Sequence, residues 1–124
     1  MDKQAILFVH AVVLAEHGGS EGLRDEGLLE SALARPKNLF AYEEIEDLAG
    51  LAACYAVGIV RNHPFVDGNK RVGFVALALF LALNGLRLRA DQVDAFRQIY
   101  SVASGVIDET QLALWVRQNV ASAK

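Results

Sequence analysis

The chain has 124 residues, which suffices for one domain with a hydrophobic core and is too short for two. Its hydrophobic fraction of 53% argues against disorder, because that much apolar surface can offset the entropy lost on folding. A net charge of −3 argues against direct nucleic-acid binding, and one cysteine excludes an internal disulfide framework. We therefore expect a single domain over residues 1–124.

Membrane insertion and export are not predicted. The longest apolar run, residues 72–83, is too short to cross a bilayer and is typical of a buried helix. Asp2 and Lys3 precede the first apolar residues, and no small-residue cleavage pattern follows them. Cys54 lies among apolar residues and is interpreted as a core thiol. Together these features predict a cytoplasmic protein.

The first third of the chain has two predicted helices. The first covers Gln4–His17 and ends at a Gly-Gly pair. Asp25 can cap a second helix over roughly Glu26–Arg35, whose leucines and alanines share one face. Pro36 should end that helix, because it lacks an N–H group and clashes with the preceding turn.

Residues 37–44 carry aromatic side chains without a helical period, so we expect an extended flap or a small hairpin. Lys37–Phe40 could align a target segment by strand-like pairing, and a plain surface loop is an equal alternative. Glu43 and Glu44 could act as an acid–base pair or bind a metal, although a solvated approach to the next helix is the simpler interpretation.

Four more helices are predicted in the remainder of the chain. Their expected ranges are Asp47 to about Arg61, Lys70–Leu83, Gln92–Ser104 after an Asp91 cap, and Asp108 to about Val120 after a capping box with Gln111. Leu86–Arg89 is expected to be short and extended. The predicted fold class is all-α, a compact bundle of about six helices with a possible short flap or hairpin.

The polar stretch between the third and fourth helices, RNHPFVDGNKRVGF, combines groups that phosphoryl transfer needs. His63 is a titratable base, and Asp67 offers the hard oxygen ligand that Mg²⁺ prefers. Gly68 permits a close backbone approach, and Asn69 can cap the following helix. A generic polar turn between two helices is the competing interpretation.

Two cations at the start of the fourth helix favour the functional interpretation. Lys70 and Arg71 lie where the helix dipole is positive, so their charges oppose it. The unsatisfied N–H groups of a helix N-terminus already bind anions. A cluster of cations at this place therefore suggests that a phosphate group normally binds there.

The segment His63–Arg71, hereafter the signature segment, resembles the signature of the Fic/Doc superfamily. The usual Fic form is His-Pro-Phe-x-Asp/Glu-Gly-Asn-Gly-Arg-x-x-Arg. Here Lys70 replaces the second glycine and Phe74 the second arginine, as in the Doc (death on curing) branch of toxins. The resemblance extends over about residues 18–115 and includes the flanking stretches GLRD, LLESAL, YEE and NG.

The resemblance implies a role for each position of the signature segment. His63 would be the general base for a target hydroxyl, and Phe65 would pack inward and fix the loop. Asp67 would bind Mg²⁺. Gly68, Asn69 and Lys70 would form an anion-binding turn, and Arg71 would contact phosphate.

The resemblance also implies an activity and partners. A Doc-type toxin would transfer the γ-phosphate of ATP to a Ser/Thr hydroxyl of a translation factor, elongation factor Tu being the known Doc-type target. A Phd-like antitoxin would restrain it in trans, since Ser104 and Glu109 are one position too far apart for the inhibitory motif of some Fic proteins. The alternatives are AMP transfer by the same residues and a non-catalytic module that binds an anion.

Four other residues have simpler interpretations. His10 and His17 are predicted to be structural. Arg24 is interpreted as a surface residue that could reach the nucleotide. Trp115 is expected in the core, with a partner anchor as the alternative.

Overall fold

The computed structural model describes residues 1–42 and 47–123 and confirms an all-α fold. The described elements are α1 (Lys3–His17), α2 (Glu26–Tyr42), α3 (Leu48–Asn62), α4 (Asn69–Leu83), β1 (Leu86–Leu88), α5 (Gln92–Ala103), α6 (Glu109–Asn119) and β2 (Val120–Ser122). No helix among these residues has both the length and the apolar character that a membrane span requires.

Helix α3 is the central element, and small residues allow its neighbours to approach it closely. A Cβ atom added at Gly58 would lie 3.1 Å from Ala32 Cβ on α2. One added at Gly73 of α4 would lie 2.6 Å from a Val60 methyl and 3.3 Å from the Ala56 carbonyl oxygen on α3. One core group joins α3 to α5 and α6, and a second joins it to α1, α2 and α4. Because α3 is packed on several sides and the signature segment follows its C-terminus, this helix determines the position of that segment.

Three of the capping residues predicted from sequence, Asp25, Asp91 and Asp108, start their helices as expected. Asp91 accepts a hydrogen bond from Asp94 N–H at 2.8 Å, and Asp25 accepts one from Leu28 N–H at 2.9 Å. Asp108 and Gln111 form the reciprocal capping box. These caps depend on neighbours three residues away, so sequence alone could identify them.

The prediction that Pro36 ends α2 is wrong. The helix continues through Pro36 to Tyr42, so the predicted flap or hairpin is absent from residues 37–42. Pro36 is almost completely buried, and packing of its ring offsets part of the lost hydrogen bond. Glu43 and Glu44, and hence the proposed acid–base pair, lie outside the described residues.

A small sheet joins the end of α6 to the turn after α4. β1 pairs antiparallel with β2, with Arg87 opposite Ala121. The extended stretch at Leu86 was predicted, whereas β2 was not. Its three residues are too few to show a period, and their partner lies more than 30 positions away.

Candidate active site

The signature segment begins with a residue in an unusual backbone conformation. α3 ends at Asn62, and His63 follows with φ 52° and ψ 53° in the left-handed region. Among the described residues, His63 is the only non-glycine with positive φ. This conformation costs a non-glycine residue about 1–2 kcal/mol. Surrounding contacts must therefore hold His63 there.

Arg24 makes the side-chain contacts that cross to this turn. Its Nε donates to the His63 carbonyl oxygen at 2.6 Å, and its Nη2 donates to the Asn62 carbonyl oxygen at 2.9 Å. Two of the otherwise unpaired carbonyls at the C-terminus of α3 are thereby satisfied. The structure thus directs the Arg24 guanidinium to the backbone of the candidate base, whereas the sequence suggested a surface role or a nucleotide contact.

The backbone before α2 pairs with the backbone after His63. The Pro64 carbonyl accepts from the N–H groups of Arg24 (2.7 Å) and Asp25 (3.0 Å). Val66 N–H donates to the Gly22 carbonyl at 3.0 Å, and Leu23 and Phe65 form an isolated antiparallel bridge. The 22–25 stretch thus supports the backbone of the signature segment, a role that the sequence did not predict.

The inward side of the segment is closed by Phe65 and Asn69. Phe65 is 1% exposed and stacks on the His10 ring with centroids 3.9 Å apart. The Asn69 side chain accepts from Phe65 N–H at 3.0 Å and donates to its carbonyl at 2.9 Å. Phe65 therefore packs inward as the resemblance implied.

The prediction that Asn69 caps α4 is wrong. Gly68, at φ 84°, occupies the cap position, and Asn69 is the first helical residue. The Asn69 side chain binds the Phe65 backbone instead of an N–H group of the helix. No side chain of the described residues caps α4, so N–H groups of its first turn remain available to an anion.

His10 is structural, as predicted, and it contacts the signature segment directly. Its Nε2 lies 3.0 Å from the Asp67 carbonyl oxygen. Because a carbonyl only accepts, Nε2 must carry the proton. His10 is buried in α1, so this bond attaches Asp67 to the first helix.

The Asp67 carboxylate is exposed but oriented by two backbone donors. Oδ1 accepts from Gly68 N–H at 2.9 Å, and Oδ2 accepts from Ser20 N–H at 3.2 Å. Gly19 approaches so closely that a Cβ there would lie 2.9 Å from Oδ2. Each oxygen keeps a lone pair free, so Asp67 suits a cation that takes its other ligands from phosphate and water.

The two signature cations point to an aromatic pair on α5. Lys70 Nζ lies 5.5 Å from the centre of the Tyr100 ring, and the Arg71 guanidinium carbon lies 4.7 Å from the centre of the Phe96 ring. Phe96 and Tyr100 are four residues apart, so they share one helix face. Sequence reasoning missed both aromatics, although their spacing was a readable signal.

His63 and Lys70 line one open cavity of about 480 Å³ together with Arg61, Tyr100 and Ser104. This volume is within the range of small-molecule sites. Arg71 instead lines a separate groove of about 440 Å³ between α1, α4 and α5. The structure thus brings His63 and Lys70 together in one cavity, whereas Arg71 borders a second one.

Alternative reactive groups are not supported. Burial raises the pKa of the Cys54 thiol to about 11, so the thiol stays protonated at neutral pH. Among the residues that the structure describes, no cluster of three His, Cys, Asp or Glu side chains could hold a metal. Trp115 is partly buried against the core and its indole N–H lies 3.4 Å from Asp94.

Comparisons with known proteins show the family of the chain. A model described as the Fic/DOC family matches residues 1–81. The chain is 31% identical over 121 residues to the protein kinase doc of Escherichia phage P1, covering 98% of this chain and 95% of that protein. It is 36% identical over 92 residues to the toxin Doc of Mycolicibacterium smegmatis, covering 73% of this chain and 68% of that protein. The chain belongs to the Fic/DOC family, in its Doc branch.

Proposed function

We propose that the chain is a Doc-type toxin that transfers the γ-phosphate of ATP to a Ser/Thr hydroxyl of a translation factor. Elongation factor Tu is the expected substrate, because it is the known Doc-type target. The observation that carries the proposal is the shared cavity of His63 and Lys70 beside the uncapped N-terminus of α4. This arrangement supports the proposal, because phosphoryl transfer requires a base next to an anion-binding turn.

The proposed reaction is an in-line displacement at the γ-phosphorus. The target hydroxyl oxygen forms a bond to phosphorus, and the bond from phosphorus to the β–γ bridging oxygen breaks. The hydroxyl proton passes to the His63 imidazole, and ADP leaves with the bridging oxygen. Lys70 and the first-turn N–H groups of α4 stabilise the phosphate charge.

Asp67 is the residue that would hold Mg²⁺. Its carboxylate is exposed, oriented by backbone donors, and adjacent to the N-terminus of α4. One carboxylate suffices, because Mg²⁺ at nucleotide sites takes its other ligands from phosphates and water. The ion would neutralise phosphate charge when bound.

Transfer of AMP is the second candidate, and two positions favour the γ-phosphate instead. Phe74 packs against Phe96 with ring centres 5.0 Å apart, so an apolar contact occupies the position where Fic proteins have their second arginine. Lys70, which replaces their glycine, adds a charge beside His63. Compared with the usual Fic form, this chain has an additional cation at the start of α4 and lacks one in the second turn. This difference changes which phosphate group can be aligned for attack.

An antitoxin is the expected partner, since a relative is named toxin Doc. We propose that a Phd-like antitoxin restrains the chain in trans. The apolar groove that Arg71 borders has the exposed side chains Phe8 and Val12 along α1, which supports a bound peptide on that side.

The deciding experiment incubates the purified chain with Mg²⁺, elongation factor Tu and ATP labelled on either the γ- or the α-phosphate. We expect label from the γ position only, and none from the His63→Ala variant after circular dichroism shows that it is folded. Label from the α position would instead establish AMP transfer. If neither label reaches elongation factor Tu or any protein of a bacterial lysate, the chain is a binding module.

A further inference from the structure

We infer that Arg24 is a positioning residue: its guanidinium holds the turn between α3 and the signature segment so that His63 stays in the left-handed conformation. This inference rests on the proposed function for its effect on catalysis. Its structural part stands independently, because it concerns the backbone of His63.

The contacts of Arg24 differ from those of an ordinary surface arginine. Its two bonds reach carbonyls of consecutive residues, Asn62 and His63, which are 38 and 39 positions away in sequence. Both acceptors are backbone atoms whose directions depend on the φ and ψ angles of His63. A side chain that binds both carbonyls therefore selects one backbone conformation there.

Guanidinium chemistry suits this role better than that of lysine. The planar fork presents several N–H donors in fixed directions, so one group can bind two neighbouring oxygens at once. Its positive charge also lies at the C-terminus of α3, where the helix dipole is negative. Lysine would keep the charge but hold the two carbonyls less rigidly.

The other contacts at this turn leave the left-handed residue dependent on Arg24. His63 N–H donates to the Ile59 carbonyl at 3.2 Å, which only continues the helical pattern. The bonds to the Pro64 carbonyl hold the chain one residue later. The Asn62 side chain binds the Leu28 carbonyl and fixes the residue before. Among the side chains that the structure describes, Arg24 alone donates a hydrogen bond to the carbonyl of His63 itself.

The consequence for catalysis follows from the position of the ring. The His63 side chain is exposed and lines the cavity with Lys70. A change of φ at His63 would swing its Cβ, and hence the imidazole, away from the cavity. Arg24 thus acts on the reaction through His63 and not by touching nucleotide or target.

The test compares Arg24→Gln and Arg24→Lys with the unchanged chain. Arg87→Gln is the matched control, because Arg87 is an exposed arginine on β1, away from the site. Selective labelling of histidine gives three backbone signals, which loss of one signal in His63→Ala assigns. A residue with positive φ shows a strong NOE between its own amide and Hα protons, so this signal reports the conformation of His63.

We expect the strong NOE in the unchanged chain and in Arg87→Gln, its loss in Arg24→Gln, and partial retention in Arg24→Lys. Phosphate transfer should fall on the order of 10²-fold in kcat for Arg24→Gln, with the KM for ATP unchanged. A partial recovery of kcat in Arg24→Lys should parallel the NOE. Urea unfolding checks that each variant is folded. If Arg24→Gln is unfolded, Arg24→Lys is compared with the unchanged chain instead.

Two results would overturn the inference: an unchanged His63 NOE in Arg24→Gln, or a rise in KM for ATP with kcat preserved. The second would mean that Arg24 contacts the nucleotide. If the unchanged chain transfers no phosphate, the proposed function fails, whereas the NOE still decides whether Arg24 holds His63.

Discussion

The two sides of the signature segment are built in different ways. On the inner side, the backbone from His63 to Asn69 is bound by hydrogen bonds from α1 and from the 22–25 stretch, and the turn after α1 binds the Asp67 carboxylate. On the outer side, Lys70 and Arg71 only lie over aromatic rings of α5. The backbone of His63 and the carboxylate of Asp67 are therefore held in place, while the Lys70 and Arg71 side chains can adjust.

This difference suits the proposed chemistry. A base and a metal ligand must be oriented before the reaction, since reorienting them during the reaction raises the barrier. Cations that contact phosphate must move as the nucleotide enters and ADP leaves. Aromatic faces hold a cation with about 0.5–1 kcal/mol at exposed sites, which is weak enough to permit that motion.

Breaking the inner side should have the largest effect. Asn69→Ala removes both bonds to the Phe65 backbone and leaves a buried N–H and carbonyl without partners. We expect a loss of about 2–5 kcal/mol in the free energy of unfolding, measured with urea. In the control Asn84→Ala, only an exposed bond to the Phe80 carbonyl is lost, so the cost should stay below about 1 kcal/mol. Equal losses would show that the inner side is not the firmer one.

A smaller change, Gly19→Ala, tests how firmly Asp67 is oriented. The new Cβ would lie 2.9 Å from Asp67 Oδ2, so the carboxylate must turn or the loop must shift. We expect about a tenfold rise in the Mg²⁺ concentration that gives half-maximal phosphate transfer. In Gly18→Ala, a Cβ meets nothing within 4 Å, so stability falls and the Mg²⁺ requirement stays the same. If the Mg²⁺ concentration for half-maximal transfer rises equally in both variants, the cause is backbone strain and not the orientation of Asp67.

The smallest effect is expected on the outer side. Tyr100→Leu removes the ring beneath Lys70, and we expect the KM for ATP to rise about two- to fivefold, in keeping with a weak cation–π contact. The free energy of unfolding should hardly change, because Tyr100 is 59% exposed. Val93→Ala, another exposed position of α5, is the control. A large loss of stability in Tyr100→Leu would remove the contrast between the two sides.

The features that sequence predicted are local, and those it missed are long-range. Caps such as Asp108 with Gln111 depend on residues three positions apart. The polar stretch after α3 is recognisable from its residue types alone. Pro36 was misjudged because its burial, which only tertiary packing determines, offsets its cost. The bonds of His10 and Arg24 to the signature segment join residues 57 and 39 positions apart. A pattern within a short stretch of sequence cannot predict such long-range contacts.

The left-handed backbone at His63 also determines how an inert form of the chain should be made. To trap a nucleotide with its protein target, the proton acceptor must be removed without disturbing the loop. Asparagine tolerates positive φ better than other side chains of its size, whereas valine or isoleucine is strongly disfavoured there. His63→Asn is therefore the substitution of choice for capturing a stable ternary complex in a crystal.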